Sequence, residues 1–366
     1  MVTSPDLLEL TLPRLARHRL HPTAPAGTPL AEAAAAMVGV HAQMMSAAEV
    51  SLAIRVDGAS RSDVRRALWE ERSLVKTYGP RGTVHLLPTA DLPRWSAALR
   101  SIPARTAQAL MDEDQIELVV AAIDDALTGA ELTLDELTEA IVERVGPWAG
   151  DLVMPAFQEL WPRWRQAMDA AAHRGVLCFG PDRKRRVTYT NPTQWAPSDE
   201  AVDPEDAARW LAGEWLAAYG PGDAEELARW ASAPVSWARS ALDGARRGDV
   251  PVALEQPPTA MLLPYFDAYV VGFRPRPLLY PGRAGERALS RTGQAGNFPV
   301  VLIDGVVEGV WHSRRAGSRV HVTIEMLRDL TDVEREAVDE RVLRLGDVME
   351  ARPSLTFGPV TVGPHA

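Results

Sequence analysis

The chain has a single cysteine, Cys178, which excludes an internal disulfide framework and any multi-cysteine zinc site. Lysine is nearly as scarce: only Lys76 and Lys184 occur, so almost all basic charge is arginine. Arginine's planar fork suits phosphate and base recognition, although a GC-rich genome produces the same bias. No apolar run reaches the length of about 18 residues that a membrane helix needs. The start, Met1-Val2-Thr3-Ser4-Pro5-Asp6, lacks the basic region and apolar core of a signal peptide. The expectation is a cytoplasmic protein with no membrane partner, no metal and no cofactor.

At 366 residues the chain exceeds one ordinary hydrophobic core, and about two to four domains are expected. Its net charge of −10 speaks against nucleic acid only if the charge is evenly spread. It is not. Residues 110–143 hold many acids and no Lys or Arg, whereas 163–186 contain Arg163, Arg165, Arg174, Arg183, Lys184, Arg185 and Arg186. Further basic windows run from Arg61 to Arg105 and from Arg274 to Arg319. Such segregation fits a dipolar molecule whose basic face meets a polyanion, and it also fits solvated faces that alternate in sign.

The chain repeats one layout. Leu7 to Leu20 reads as an amphipathic helix. A Thr28-Pro29 cap opens a helix through Val40, and a third runs from Ser46 or Ala47 to Val56. A fourth, capped by Ser60 or Ser62, ends near Arg72, and the segments Leu74–Tyr78 and Thr83–Leu87 flank the turn Gly79-Pro80-Arg81-Gly82 as a hairpin. Helices followed by a hairpin describe a winged helix. The pattern recurs with helices at Leu132–Val145, Met154–Leu160 and Arg163–His173, then a hairpin whose tip carries Arg183 to Arg186. After a linker at Ala196–Pro204, helices at Asp206–Tyr219, Asp223–Ala231 and Val235–Arg246 precede a hairpin of Val250–Leu254 and Ala260–Leu263. Pro264 to Ile324 reads as short strands with turns at Asp304-Gly305 and Ala316-Gly317, and a closing helix runs from Thr331 to Val348 or Met349. The expected fold class is α+β, mainly α: three tandem winged helix domains at 1–105, 106–200 and 201–263, then a small β-barrel or sheet with a closing helix at 264–366.

His41-Ala42-Gln43 follows a strongly apolar helix and places two water-holding side chains two residues apart. In extended backbone, positions i and i+2 project to one side, so the imidazole and the carboxamide can grip one water between them. A histidine at a helix end equally suits the helix dipole. Three longer strings give this triplet its context. Lys76 to Leu87, KTYGPRGTVHLL, resembles the RGTLHL signature of a bacterial winged helix DNA-binding family. Leu262 to Gly272 resembles its LLPxFDxxLxG segment, and Pro299 to Trp311 is similar to its VLVDGxVxGxW segment. The family includes the AlkZ-like and YcaQ-like DNA glycosylases, which excise bulky or crosslinking alkylated purines. The resemblance implies double-stranded DNA bearing such purines as the partner. In those glycosylases a Gln-apolar-Gln motif stands where this chain has His41-Ala42-Gln43. Gln43 matches the second Gln, and His41 departs from the first, a variant found among AlkZ-like relatives.

The chemistry stands apart from that resemblance. Alkylation at guanine N7 puts a positive charge on the base, so it leaves neutral and needs no strong acid. The remaining task is to orient a water under C1′ and to tolerate an oxocarbenium-like sugar. A carboxamide can accept from that water, and a neutral imidazole can also take its proton. His41 and Gln43 are therefore the catalytic candidates, with Glu49 a weaker base candidate and a dipole partner by default. Asp267 reads as a turn or salt-bridge residue, with Arg274 as its partner. Trp148, Trp161, Trp164 and Trp195 read chiefly as core. The DNA-contact candidates are Arg81 and His85 of the first hairpin, Arg183, Lys184, Arg185 and Arg186 of the second, and Arg314 and Arg315 of the Ser313–Gly317 tip. For His85 a structural hydrogen bond is the competing role. Two functions compete: a monomeric, monofunctional glycosylase, and a non-catalytic winged helix regulator or damage-binding protein.

Overall fold

A computed structural model describes residues 5–103, 110–156, 159–195, 202–245 and 260–363. The chain divides into two compact units, each discontinuous in sequence: Met1–Ala67 with Glu214–Gly222 and Arg247–Ala366, and Leu68–Gly213 with Asp223–Arg246. Among the described residues no helix is long and apolar enough to cross a membrane.

The first unit is built on a five-stranded sheet in the order Arg352–Phe357, Arg319–Met326, Val306–Ala316, Val300–Ile303, Ala260–Leu263. The order is linear, with no pairing between its first and last strands, so the strands expected as a barrel or sheet form an open sheet with one parallel pair among antiparallel ones. Val300–Ile303 is buried throughout, as its run of β-branched and aliphatic side chains requires. It is joined to Val306–Ala316 by the two-residue turn Asp304-Gly305, both residues left-handed, which is the hairpin chemistry read from the sequence. The Arg352–Phe357 strand pairs parallel to Arg319–Met326 and is reached through the helix Asp332–Val348, which a Thr331/Glu334 capping box starts. Leu15, Leu20, Leu263, Tyr269, Phe273, Leu302 and Val310 form this unit's core.

The second unit contains the hairpin Leu74–Tyr78 with Val84–Pro88, and a sheet in which Arg186–Thr190 lies between Glu131–Thr133 and Cys178–Arg183. Helices Glu113–Leu127 and Leu134–Val145 each open with a full capping box, on Asp112/Gln115 and Thr133/Glu136. They bury Val119, Ile123, Leu137 and Ile141 against Trp164, Leu177 and Phe179.

Two expected elements differ. Met154–Leu160 is not helical: Leu152–Ala156 and Glu159–Pro162 pair as an antiparallel hairpin. Pro155 explains this, because mid-helix it removes a donor and its ring collides with the preceding turn. Ala260–Leu263 is not the return strand of a third hairpin but the sheet edge paired with Val300–Ile303. The expected strand at 250–254 lies outside the described residues, as does most of the linker at 196–204.

Among the described residues, each unit holds one fully buried histidine. His18 packs edge-on to Tyr219 and Tyr269, with ring centroids at 5.0 and 5.5 Å. His85 lies on Val84–Pro88. Burial, aided by nearby arginine charge, pulls both imidazoles down to about 3. The unfolded chain therefore binds more protons than the folded one between that value and the ordinary histidine value near 6.5. This contribution to stability is complete above about pH 6.5 and is lost as pH falls through the window. Each imidazole should cost about 2 kcal/mol between pH 7 and pH 5. Denaturant titrations at those two pH values check this, and a flat profile would rule it out.

Candidate active site

The helix Leu30–Ala36 ends in a tight turn in which Gly39 N–H donates to Ala34 O, with Val38 and Gly39 left-handed. The chain emerges extended at Val40–His41, and the helix Met45–Ala53 begins after an extended Met44. Burial alternates through the triplet: Val40 and Ala42 are buried, His41 is half-buried and Gln43 is exposed. This alternation is what the i, i+2 argument expects of extended backbone; the strand itself ends at His41, and Gln43 lies in the bend before the next helix.

Phe266 faces His41, with ring centroids 6.3 Å apart and planes inclined by 32°. Its backbone is left-handed, its N–H donates to Gly296 O at 3.0 Å, and a Cβ at Gly296 would come within 2.9 Å of its ring. Glycine at 296 is thus dictated by close approach. The next residue, Asp267, is fully buried against fully buried Arg55. Arg55 donates to the two Asp267 carboxylate oxygens at 2.9 and 2.8 Å and, through Nε, to His18 O at 2.9 Å. Ser51 Oγ donates to Asp267 at 2.6 Å, and the same carboxylate caps the helix Ala268–Gly272 by accepting from Tyr269 N at 3.0 Å. Burial alone would raise the Asp267 carboxyl, but Arg55 and these hydrogen bonds hold it below the usual carboxylate range. The partner of Asp267 is Arg55, not Arg274.

Glu49 is buried and holds Arg61 and Arg65, with Nε donors at 2.6 and 2.7 Å, so its carboxylate ties neighbouring helices together. Sequence reading missed Phe266, Arg55 and Ser51. The adjacent Phe-Asp pair was legible, but its partners lie more than 200 residues away, Arg55 being 212 positions from Asp267.

The DNA-contact candidates fall in different settings. His85 is buried, donates from Nδ1 to Thr83 O at 2.8 Å, and lies so near Gly79 that a Cβ there would sit 2.7 Å from the ring. It supports the turn and is not presented to solvent. Arg81, left-handed on that turn, donates to Trp230 O and stands over the Trp230 ring at 5.9 Å. At the second hairpin, Arg183 pairs with Glu136 and Arg186 with Asp135 at 3.3 Å. Lys184 and Arg185 occupy the two-residue tip, both left-handed, exposed and without an ion pair among the described residues. The four-cation wing is therefore a two-cation tip on a neutralised stem. Arg315 donates to Met349 O at 2.8 Å, while Arg314 beside it is exposed.

Residues 34–348 match the family described as DNA glycosylase AlkZ-like. An interstrand DNA cross-link repair glycosylase of Streptomyces sahachiroi is 29% identical over 310 residues, spanning 75% of this chain and 80% of that protein. The solved structure of the DNA glycosylase AlkZ from the same organism has a similar fold, with a TM-score of 0.75 at 24% identity over 98% of this chain and 100% of that one. The chain belongs to the AlkZ-like DNA glycosylase family. It is a DNA glycosylase, a hydrolase of N-glycosidic bonds.

Proposed function

We propose that the protein excises bulky N7-alkylated purines, natural-product guanine adducts above all, from double-stranded DNA in repair or genotoxin self-resistance. The observation that carries this is that half-buried His41, facing Phe266, and exposed Gln43 flank buried Ala42 between the strand Val40–His41 and the helix Met45–Ala53. Gln43 accepts from the attacking water, and His41 orients it or takes its proton. The positively charged N7-alkyl base supplies its own leaving-group activation, so positioning and a polar surround suffice. Family membership in an enzyme class argues against the non-catalytic regulator. Helices followed by hairpins at Arg61–Pro88 and Leu134–Thr190 support the winged helix reading of the DNA-facing parts, with Lys184, Arg185 and Arg314 as backbone contacts of a monomer acting without cofactor.

The test is a duplex carrying a single N7-alkylguanine, assayed for abasic sites. Excision is expected, with no borohydride-trapped adduct, because the chemistry uses water and not an amine. A large intercalating adduct should be removed no more slowly than 7-methylguanine, since an exposed Gln43 is not enclosed in the snug pocket of a base-flipping enzyme. A strong preference for the methyl adduct would overturn the reading.

A further inference from the structure

Arg165 stands apart from the other arginines of its segment. Arg163 donates to Leu110 O and Trp148 O and pairs with Asp151; Arg174 pairs with Glu117; Arg144 pairs with Asp125 at 2.7 Å. The Arg165 guanidinium has no hydrogen bond and no ion pair among the described residues, and its Nε is buried without an acceptor. The nearest acid in sequence, Asp169, accepts from Ala170 N at 2.8 Å, and Glu159 accepts from Trp161 Nε1 at 3.4 Å. What holds Arg165 is the Trp161 ring, 3.5 Å from ring centroid to guanidinium carbon. Burial disfavours its charged form, only partly offset by Tyr189, Tyr78 and Glu159. A planar cation is thus fixed on an aromatic face with its donor edge unspent, at a desolvation cost that the free protein does not recover.

We propose that Arg165, oriented by Trp161, binds a phosphodiester oxygen of the DNA strand. A stacked guanidinium offers paired donors to a phosphate. This contact is separate from the Lys184-Arg185 tip. It rests on the reading of the protein as an enzyme acting on DNA.

The experiment measures affinity of the full chain for undamaged duplex across a salt series. Arg165→Met, which keeps the stem on Trp161 and removes the charge, is expected to lower the magnitude of the log affinity against log salt slope by about 0.9, one phosphate contact. Its melting temperature should be unchanged or higher, because an uncompensated charge has been removed. Arg165→Lys should restore most of the slope. A Lys184→Asn/Arg185→Gly variant, which gives the tip the residues its left-handed turn favours, reports the independent loss from the wing. An unchanged slope in Arg165→Met overturns the proposal, as does a lowered melting temperature with wild-type binding, the signature of a structural arginine. Saturable binding of inorganic phosphate that depends on Arg165, with the DNA slope unmoved, would assign the site to a free anion and overturn the DNA contact. Abasic-site formation by the wild-type enzyme is read in parallel, so failure of the activity and failure of this contact are separate results.

Discussion

Replacing Gln43 by alanine is expected to slow single-turnover excision of an N7-alkylguanine at least about tenfold, roughly 1.4 kcal/mol of barrier, with duplex affinity near wild type. The reason lies in the local fold. Gln43 is exposed and follows buried Ala42, so its side chain supports no packing and truncating it removes only what it presents to the substrate. His41→Gln should retain part of the activity, because a carboxamide at that place can still orient water. If it abolishes excision while Gln43→Ala leaves the rate intact, the roles are reversed and an obligatory imidazole base acts alone. A fall in DNA affinity that accounts for the whole loss in Gln43→Ala would instead make Gln43 a binding residue.

Local chemistry carried the parts of the fold that were legible in the sequence. The capping box at Thr133/Glu136, the turn Asp304-Gly305 and the helix closing at Val348 each depend on residues a few positions apart, which a sequence displays directly. The same holds for the alternating burial of Val40, His41, Ala42 and Gln43. What was not legible depends on long-range geometry. The extended character of Leu152–Ala156 and Glu159–Pro162 was masked by helix-forming neighbours and signalled by Pro155. The edge role of Ala260–Leu263 needed its pairing with Val300–Ile303, some 40 residues on. The basic run Arg183 to Arg186 looked like four equal cations, yet Asp135 and Glu136, remote in sequence, neutralise two of them. Charge in sequence measures supply, and only the folded contacts show how much is left for a partner.

Asp267 supplies the second large effect. Asp267→Asn preserves the side-chain shape and, with its one oxygen turned to Tyr269 N, the cap, but it puts an amide NH2 where Ser51 and Arg55 donate and leaves the fully buried Arg55 guanidinium without a counter-charge. Removing one partner of such a pair costs about 3–5 kcal/mol, a large share of the roughly 5–15 kcal/mol that holds a protein folded. The denaturation midpoint should fall accordingly. Removing the charge of Arg55 as well, in Arg55→Met/Asp267→Asn, should recover at least half of the loss, since an apolar stem in an apolar site carries no desolvation penalty. The recovered fold would still lack the bidentate clamp that fixes Asp267, and with it Phe266 opposite His41. Excision by the double variant should therefore stay below wild type under conditions where it is fully folded. Equal stability of the single and double variants would remove the electrostatic argument. Wild-type excision by the folded double variant would show that Phe266 needs no such anchor, and that the buried pair serves the first unit's core and not its chemistry.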